Sequence, residues 1–305
     1  APMLPDSARA IDHLFVHADW LAVHYRQRVR RSQWFLHLLA VLTGLVFLVY
    51  SEFERWGGYL ALLLVLFAVG WGVARVADVR EWHRRYLDYR VLAEGLRVQF
   101  YWVAAGVPAV DRVRFAYDSF LQKQDVELGW IRHVMRVASL LGVPKPDPGD
   151  AGLRWVVAEW VGDAGSGQLG YYQRRAEDRE RKFRQTEALG RASLWASLVC
   201  ALALVVGGSL LADGVARGLL VFMGVAALFA GVRQAYSHKL ADKELIKQYR
   251  FMARVLANAA QQLAVARTPA QQRRVLEALG DAALQEHAEW ILMHRERPLE
   301  HNRLG

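Results

Sequence analysis

Four stretches of this 305-residue chain carry no charged side chain: Phe35–Tyr50, Trp56–Ala74, Ala192–Ala212 and Gly218–Val232. No other feature limits the fold as much. A membrane span needs roughly 20 apolar residues to cross a ~30 Å hydrocarbon core. Ala192–Ala212 meets that outright and Trp56–Ala74 nearly does, while the other two are short. At about 1.5 Å per residue, Gly218–Val232 covers about three quarters of the core. Arg217 and Arg233 at its ends can snorkel to make up the difference. The competing reading makes the four stretches buried core helices of a water-soluble protein. Their arrival as two tight pairs favours spans. Composition agrees: 54% of residues are hydrophobic, yet mean hydropathy is only +0.07, because apolar and charged residues occupy separate blocks.

Charge gives the expected orientation. The loop inside the first pair, Ser51–Arg55, holds Glu52, Glu54 and Arg55, and that inside the second, Ala212–Arg217, holds Asp213 and Arg217. The outer flanks are far more basic. Arg26, Arg28, Arg30 and Arg31 precede the first span, and Arg75, Arg80, Arg84, Arg85 and Arg90 follow the second. Arg174, Arg175, Arg179, Arg181, Lys182 and Arg184 precede the third, and Arg233, Lys239, Lys243, Lys247 and Arg250 follow the fourth. Lys/Arg-rich flanks stay in the cytoplasm. The expectation is a multi-pass protein of the cell (inner) membrane, with both termini and the middle segment cytoplasmic. Anionic lipid then accounts for the net charge of +9, and no nucleic-acid partner is needed. The single cysteine, Cys200, cannot form an internal disulfide and reads as a packed thiol. The first apolar stretch lies too far in to be a signal peptide and is followed by a second span. The chain opens on Ala1 rather than Met, and a longer parent protein is expected.

The chain also repeats itself at an offset of about 160 residues. Trp34 matches Trp195, Tyr89-Arg90 matches Tyr249-Arg250, and Ala93 and Leu96 match Ala253 and Leu256. Pro108-Ala109 then matches Pro269-Ala270, and Trp130-Ile131 matches Trp290-Ile291. Each unit reads as cytoplasmic helix, membrane hairpin, cytoplasmic helix, turn and last helix. Two crossings per unit leave both units in one orientation, so the repeats are parallel. The expected fold is an all-α integral membrane protein: four transmembrane helices as two parallel-repeat hairpins with long cytoplasmic helical extensions. Residues 1–140 form the first repeat, with its hairpin at about 34–75. Residues 141–170 form a Pro/Gly-rich linker, and 171–305 the second repeat, with its hairpin at about 192–233. In Gln173–Leu189, Glu177/Arg181, Asp178/Lys182 and Glu180/Arg184 are spaced to pair along one helix. Only Gly190 interrupts the path into the third span. That helix reads as a solvated stalk or as a lever that carries movement into the membrane.

One motif points elsewhere. Gly165-Ser166-Gly167-Gln168-Leu169-Gly170 fits the dinucleotide-binding pattern G-x-G-x-x-G, with a candidate strand before it at Arg154–Val161. A dinucleotide fold needs a second strand after the glycines. Here the following helix runs into a membrane span instead. The motif therefore reads as a joint at a helix N-terminus, with Gly165, Gly167 and Gly170 as a weak anion-site candidate. His13, His17 and His24 share a helix face but lack a convincing further ligand, so no metal is expected. With no Ser/His/Asp set, paired acids or Walker motif, neither an enzyme nor a cofactor is expected. No acidic or basic residue sits centrally in any span, which argues against active transport. His37 near the inner end of the first span and Cys200 are the ionisable groups within the blocks. Close packing or a pore lining falls to Thr43, Gly70, Gly72, Ser197, Gly207, Gly208, Ser209, Gly224, Ala227 and Gly231. A pore needs several protomers, since four short helices enclose little space.

Four further stretches carry a resemblance: Tyr89–Phe100 (YRVLAEGLRVQF), Val126–Arg132 (VELGWIR), Trp160–Tyr172 (WVGDAGSGQLGYY) and Glu286–Glu300 (EHAEWILMHRERPLE). With them, across nearly its whole length, the pattern resembles SLATT domains, membrane effectors associated with bacterial nucleotide-sensing and conflict systems. It is more closely similar to the membrane portion of bacterial proteins with an upstream SLOG/LSDAT sensor, itself related to the sensor region of TRPM channels. The resemblance implies a homo-oligomer in the lipid bilayer that perforates or depolarises the membrane. Its trigger would be a nucleotide signal from an upstream sensor domain not present in this chain. The alternative is a non-conducting anchor and oligomerisation scaffold.

Overall fold

The computed structural model describes residues 6–52, 57–107, 128–141, 150–163, 165–207, 211–239 and 242–295. Among the described residues there is no strand. The helices are α1 (Asp6–Glu52), α2 (Gly57–Val79), α3 (Trp82–Ala104), α4 (Gly129–Leu141) and α5 (Ala151–Val156). A π-helical turn, Val157–Val161, extends α5. Then come α6 (Gly167–Gly207), α7 (Asp213–Lys239), α8 (Asp242–Val265) and α9 (Pro269–Arg295). The expected turn at Pro108-Ala109 and the residues 142–149 of the expected linker lie outside the described residues.

Contacts divide the chain into two compact units. One comprises residues 1–27, 82–176 and 247–305, the other 28–81 and 177–246. Each unit draws residues from both of the expected repeats. α1, 47 residues long, and α6, 41 residues long, each contribute to both units without a break. Gly190 does not interrupt α6. By contrast α2 ends at a turn over Arg80 and Glu81, where Glu81 takes a left-handed φ of 50°.

The second unit holds the uncharged stretches. Among the described residues, four helices are long and apolar enough to cross a membrane, and within the apolar window of each only 6% of residues are buried. Large apolar side chains point outward, as in Leu64 at 70% exposure and Val205 at 83%. Core helices of a water-soluble protein would hide those side chains, since burial is what offsets the cost of ordering the chain. Outward-facing apolar surface over four such helices marks a multi-pass membrane protein. Gly44 on α1 meets Leu228 on α7, and Leu48 meets Gly224 four residues further along, where an added Cβ would lie 2.6 Å from Leu48. The numbers run in opposite senses, so these two helices are antiparallel. His37 meets Tyr236 edge-on at 4.9 Å in the same register. α6 and α7 are antiparallel too: Ser197 donates to the Met223 carbonyl at 3.1 Å, and Gly190, earlier on α6, faces Arg233, later on α7.

The first unit packs around α3, which is buried on nearly every side from Leu87 to Ala104. α9 covers it most extensively, with α4 and α5 beside it. Trp102 is fully buried and donates from Nε1 to the Leu276 carbonyl at 2.9 Å. Its ring lies over Gly280, one turn further along α9, where a Cβ would collide with the indole. The end of α3 is a Schellman cap. Gly106, at φ 67°, donates to Val103 at 3.1 Å, and Val107 donates to Trp102 at 2.9 Å. Arg273 of α9 donates to the Ala105 carbonyl at 2.9 Å and pairs with Asp150, tying this end to α5. The start of α9 is a capping box with proline at the first helical position. Gln271 N–H donates to Thr268 Oγ1, and Thr268 N–H donates back to Gln271 Oε1, both at 3.2 Å.

Candidate functional site

The apolar core of the first unit contains a charged knot. Glu94, in the middle of α3, is buried. Its Oε2 accepts from Arg97 at 2.8 Å and lies 3.5 Å from His287 Nε2, while Oε1 lies 3.5 Å from Arg90. Arg90, Glu94 and Arg97 are spaced by four and three residues, so helical geometry places them along one side of α3. His287 comes from α9. Burial alone would push the Glu94 carboxyl up, but Arg97, His287 and Arg90 together outweigh it and hold it well below the usual carboxylate range. The arginines are further confined by aromatic rings: Arg90 lies over Trp290 at 5.7 Å and Arg97 over Phe15 at 5.2 Å. Tyr172 lies beside them, its hydroxyl pushed up by burial and by Glu94. Glu94, Arg97, Gln168, Tyr172 and His287 line a cavity of about 20 Å³, room for one water molecule. The knot can therefore lock α3 to α9 and bind a solvent-sized guest.

Sequence reasoning did not single out this knot. The available signal was the run Arg90, Glu94, Arg97 at helical spacing among Leu87, Val91, Leu92 and Leu96, which is charge where a core face was due. Described residues from all four stretches quoted for the resemblance meet around α3. Tyr89–Phe100 supplies the helix itself. Trp160 stacks on Tyr101 at 5.1 Å, Trp130 meets Tyr89 at 5.9 Å, and His287 reaches Glu94.

The glycine motif sits at the start of α6. Arg154–Val161 before it is helical. Gly162 and Gly167, at φ 68° and 59°, pack against each other, and a Cβ on Gly167 would lie 2.7 Å from Gly162. Glycine is needed because two stretches of backbone touch. The Asp163 carboxylate accepts from the N–H groups of Gly165 and Ser166, both at 2.8 Å, and from Ser166 Oγ at 3.0 Å. Those donors keep Asp163 below its ordinary value. The loop amides that would meet an incoming anion are thus bonded to a carboxylate of the chain. Gly170 lies within α6.

The other candidates fall in separate places. Ser197 is buried with its hydroxyl bonded inside the α6–α7 pair, and Gly224 is filled by Leu48. A Cβ added at Gly70 would lie 3.8 Å from Leu39, and one added at Gly207 would lie 4.0 Å from Leu211. Thr43 is half-buried, and Ala227 is exposed. Around Gly72 and Gly231 there is open space within 4 Å of where a Cβ would stand. Gly208 and Ser209 lie outside the described residues. His17 donates from Nδ1 to the His13 carbonyl of its own helix at 2.6 Å, and His24 stacks on Trp20 at 5.3 Å. Cys200 is half-buried.

Comparison with protein-family models, with curated proteins and with solved structures gives no match to this chain.

Glu286, beside His287 on α9, supplies a test of this region in solution. Burial pushes its carboxyl from 4.5 up to about 7, with Glu289 adding to the rise. The folded state then holds the proton more tightly than the unfolded state, so stability falls as pH rises between those two values. Glu286→Gln is expected to remove that slope. It should stabilise the protein above pH 7 by up to about 1 kcal/mol, the full shift being discounted because the side chain is half-exposed. Thermal melts at pH 5 and pH 8 check it: equal effects of the substitution at both values would contradict the prediction.

Proposed function

We propose that the protein is a non-enzymatic, pore-forming or channel-like effector of the cell (inner) membrane, working as a homo-oligomer and gated through its cytoplasmic helices. Both termini lie on the cytoplasmic side, and the trigger is a nucleotide-type signal delivered by an upstream sensor domain. The observation that carries this reading is the pair of unbroken helices α1 and α6, each shared between a packed, charge-locked unit and a unit whose apolar side chains face outward. A helix without a break passes a rotation or tilt from one to the other. The two spans that return do so through the Arg80–Glu81 turn and after Lys239. The reading of two parallel hairpin repeats draws support from matched positions. Leu96 and Leu256 are both fully buried, as are Ile131 and Ile291. The likeness to SLATT domains and to the membrane portion of SLOG/LSDAT proteins rests on the sequence stretches above.

The test is release of dye from liposomes holding the purified protein. Wild type is expected to leak. Gly231→Leu is expected to reduce the leak several-fold while leaving the protomer's melting temperature unchanged, because the space beside Gly231 is open within the protomer. Oligomers without leak, with or without nucleotide, would favour a second reading: a non-conducting anchor and scaffold. One observation already leans that way, since the Ser197 hydroxyl is spent inside the protomer rather than presented to a lumen.

A further inference from the structure

The inner end of the α6–α7 pair carries a face suited to an amphiphile. Arg191, Trp195, Leu198 and Leu202 follow one another at intervals of four, three and four residues, so they form one stripe on α6. All four are exposed, Trp195 at 65%, Leu198 at 56% and Leu202 at 62%. From Arg191 to Leu202 the rise is about 16 Å, close to half of a ~30 Å hydrocarbon core. The stripe therefore begins with a cation, passes an indole and ends in aliphatic side chains over the depth of one leaflet. Beside its charged end, Arg233 of α7 lies against Gly190, where an added Cβ would stand 3.0 Å from the guanidinium. Glycine at this place lets a second guanidinium settle onto the backbone of α6 next to Arg191. The carboxylate whose field reaches Arg233 is Glu187, one turn further from the span. Two cations against one carboxylate leave the site positive.

We propose that this face binds an anionic glycerophospholipid. Its phosphate sits between Arg191 and Arg233, its glycerol region against Trp195, and one acyl chain along Leu198 and Leu202. A basic pocket between spanning helices on the cytoplasmic side is the chemistry that selects such headgroups. Indole suits the boundary between headgroup and chain. The proposal rests on the membrane reading of α6 given above. It adds a selectivity that apolar surface alone does not confer.

The experiment reconstitutes the full chain in phosphatidylcholine vesicles containing a minor fraction of phosphatidylglycerol, with bromine on the chains of one lipid or the other. Tryptophan quenching is read as the difference between wild type and Trp195→Phe. Brominated phosphatidylglycerol is expected to quench Trp195 beyond its mole fraction. The expected enrichment is about fivefold per arginine, the factor that about 1 kcal/mol gives. Arg191→Gln with Arg233→Gln should return quenching to the mole-fraction level, and Gly190→Leu, which displaces Arg233, should lower it part of the way. Equal quenching by the two lipids, or an excess that survives the double substitution, would overturn the assignment. Quenching by neither lipid is a different result: it would remove α6 from the bilayer, and the membrane reading with it.

Discussion

Glu94→Gln is expected to cost the protein about 3–5 kcal/mol, the penalty of leaving buried charge without its partner. Glutamine keeps the shape of the side chain and removes the charge. Arg97 then loses its 2.8 Å carboxylate, and Arg90 and His287 lose theirs at 3.5 Å. His287 is buried, and the Arg90 and Arg97 side chains are only 23% and 24% exposed, so water replaces the lost carboxylate only in part. The measurement is thermal unfolding in detergent micelles, followed by tryptophan fluorescence. The double substitution Glu94→Met with Arg97→Met should be less damaging than Glu94→Met alone, since it removes an opposite pair rather than one member. The pH dependence has a definite sign. The carboxyl is depressed in the folded state, so its contribution is complete above the unfolded value of 4.5 and is lost as pH falls towards the lowered folded value. The substitution should therefore matter fully at pH 7 and progressively less in strong acid. A variant that melts with wild type at pH 7 would show that the knot carries no stability.

The outline of this protein was legible because lipid imposes a coarse rule on sequence. Every backbone polar group in a span must be satisfied internally and every outward side chain must be apolar, so helical spans appear as uncharged blocks. α1 and α7 hold the first and fourth blocks, and α2 and α6 hold most of the second and third. The charged knot was hidden for the opposite reason. Inside an apolar core, a charge becomes acceptable only when its partners are in place. Those partners, on α3 and α9, are nearly two hundred positions apart between Glu94 and His287. Spacing within α3 flags the three local members but does not reveal the histidine. The glycine motif is a third case. A G-x-G-x-x-G string records that backbone must pass close to something. In a dinucleotide fold that something is a pyrophosphate. Here it is the chain itself, with Gly167 pressed on Gly162 and Asp163 bonded to the loop amides.

The α1–α7 crossing supports the other large prediction. Gly44 receives Leu228, and Leu48 fills Gly224, so each helix offers one hole and one knob four residues apart. Between helices in lipid, close contact itself supplies the attraction, because the surrounding chains are as apolar as leucine. Gly224→Leu places a second branched side chain where Leu48 already stands, and such overpacking typically costs about 1–3 kcal/mol. The expected result is a lower melting temperature in micelles. Leu48→Ala alone should also destabilise, by emptying the hole. Combined, the two should cost less than their sum, because the side chain introduced on α7 can occupy the space that Leu48 left. A merely unfavourable leucine at this depth would give additive losses instead. Strict additivity, or a Gly224→Leu variant that melts with wild type, would mean that α1 and α7 do not meet here. The contrast with Gly231→Leu, on the same helix but in open space, separates packing inside one protomer from packing between protomers. The first substitution acts on the protomer's own stability. The second can act only through a neighbour, so a loss of leak without a loss of stability at Gly231 locates the oligomer contact on α7.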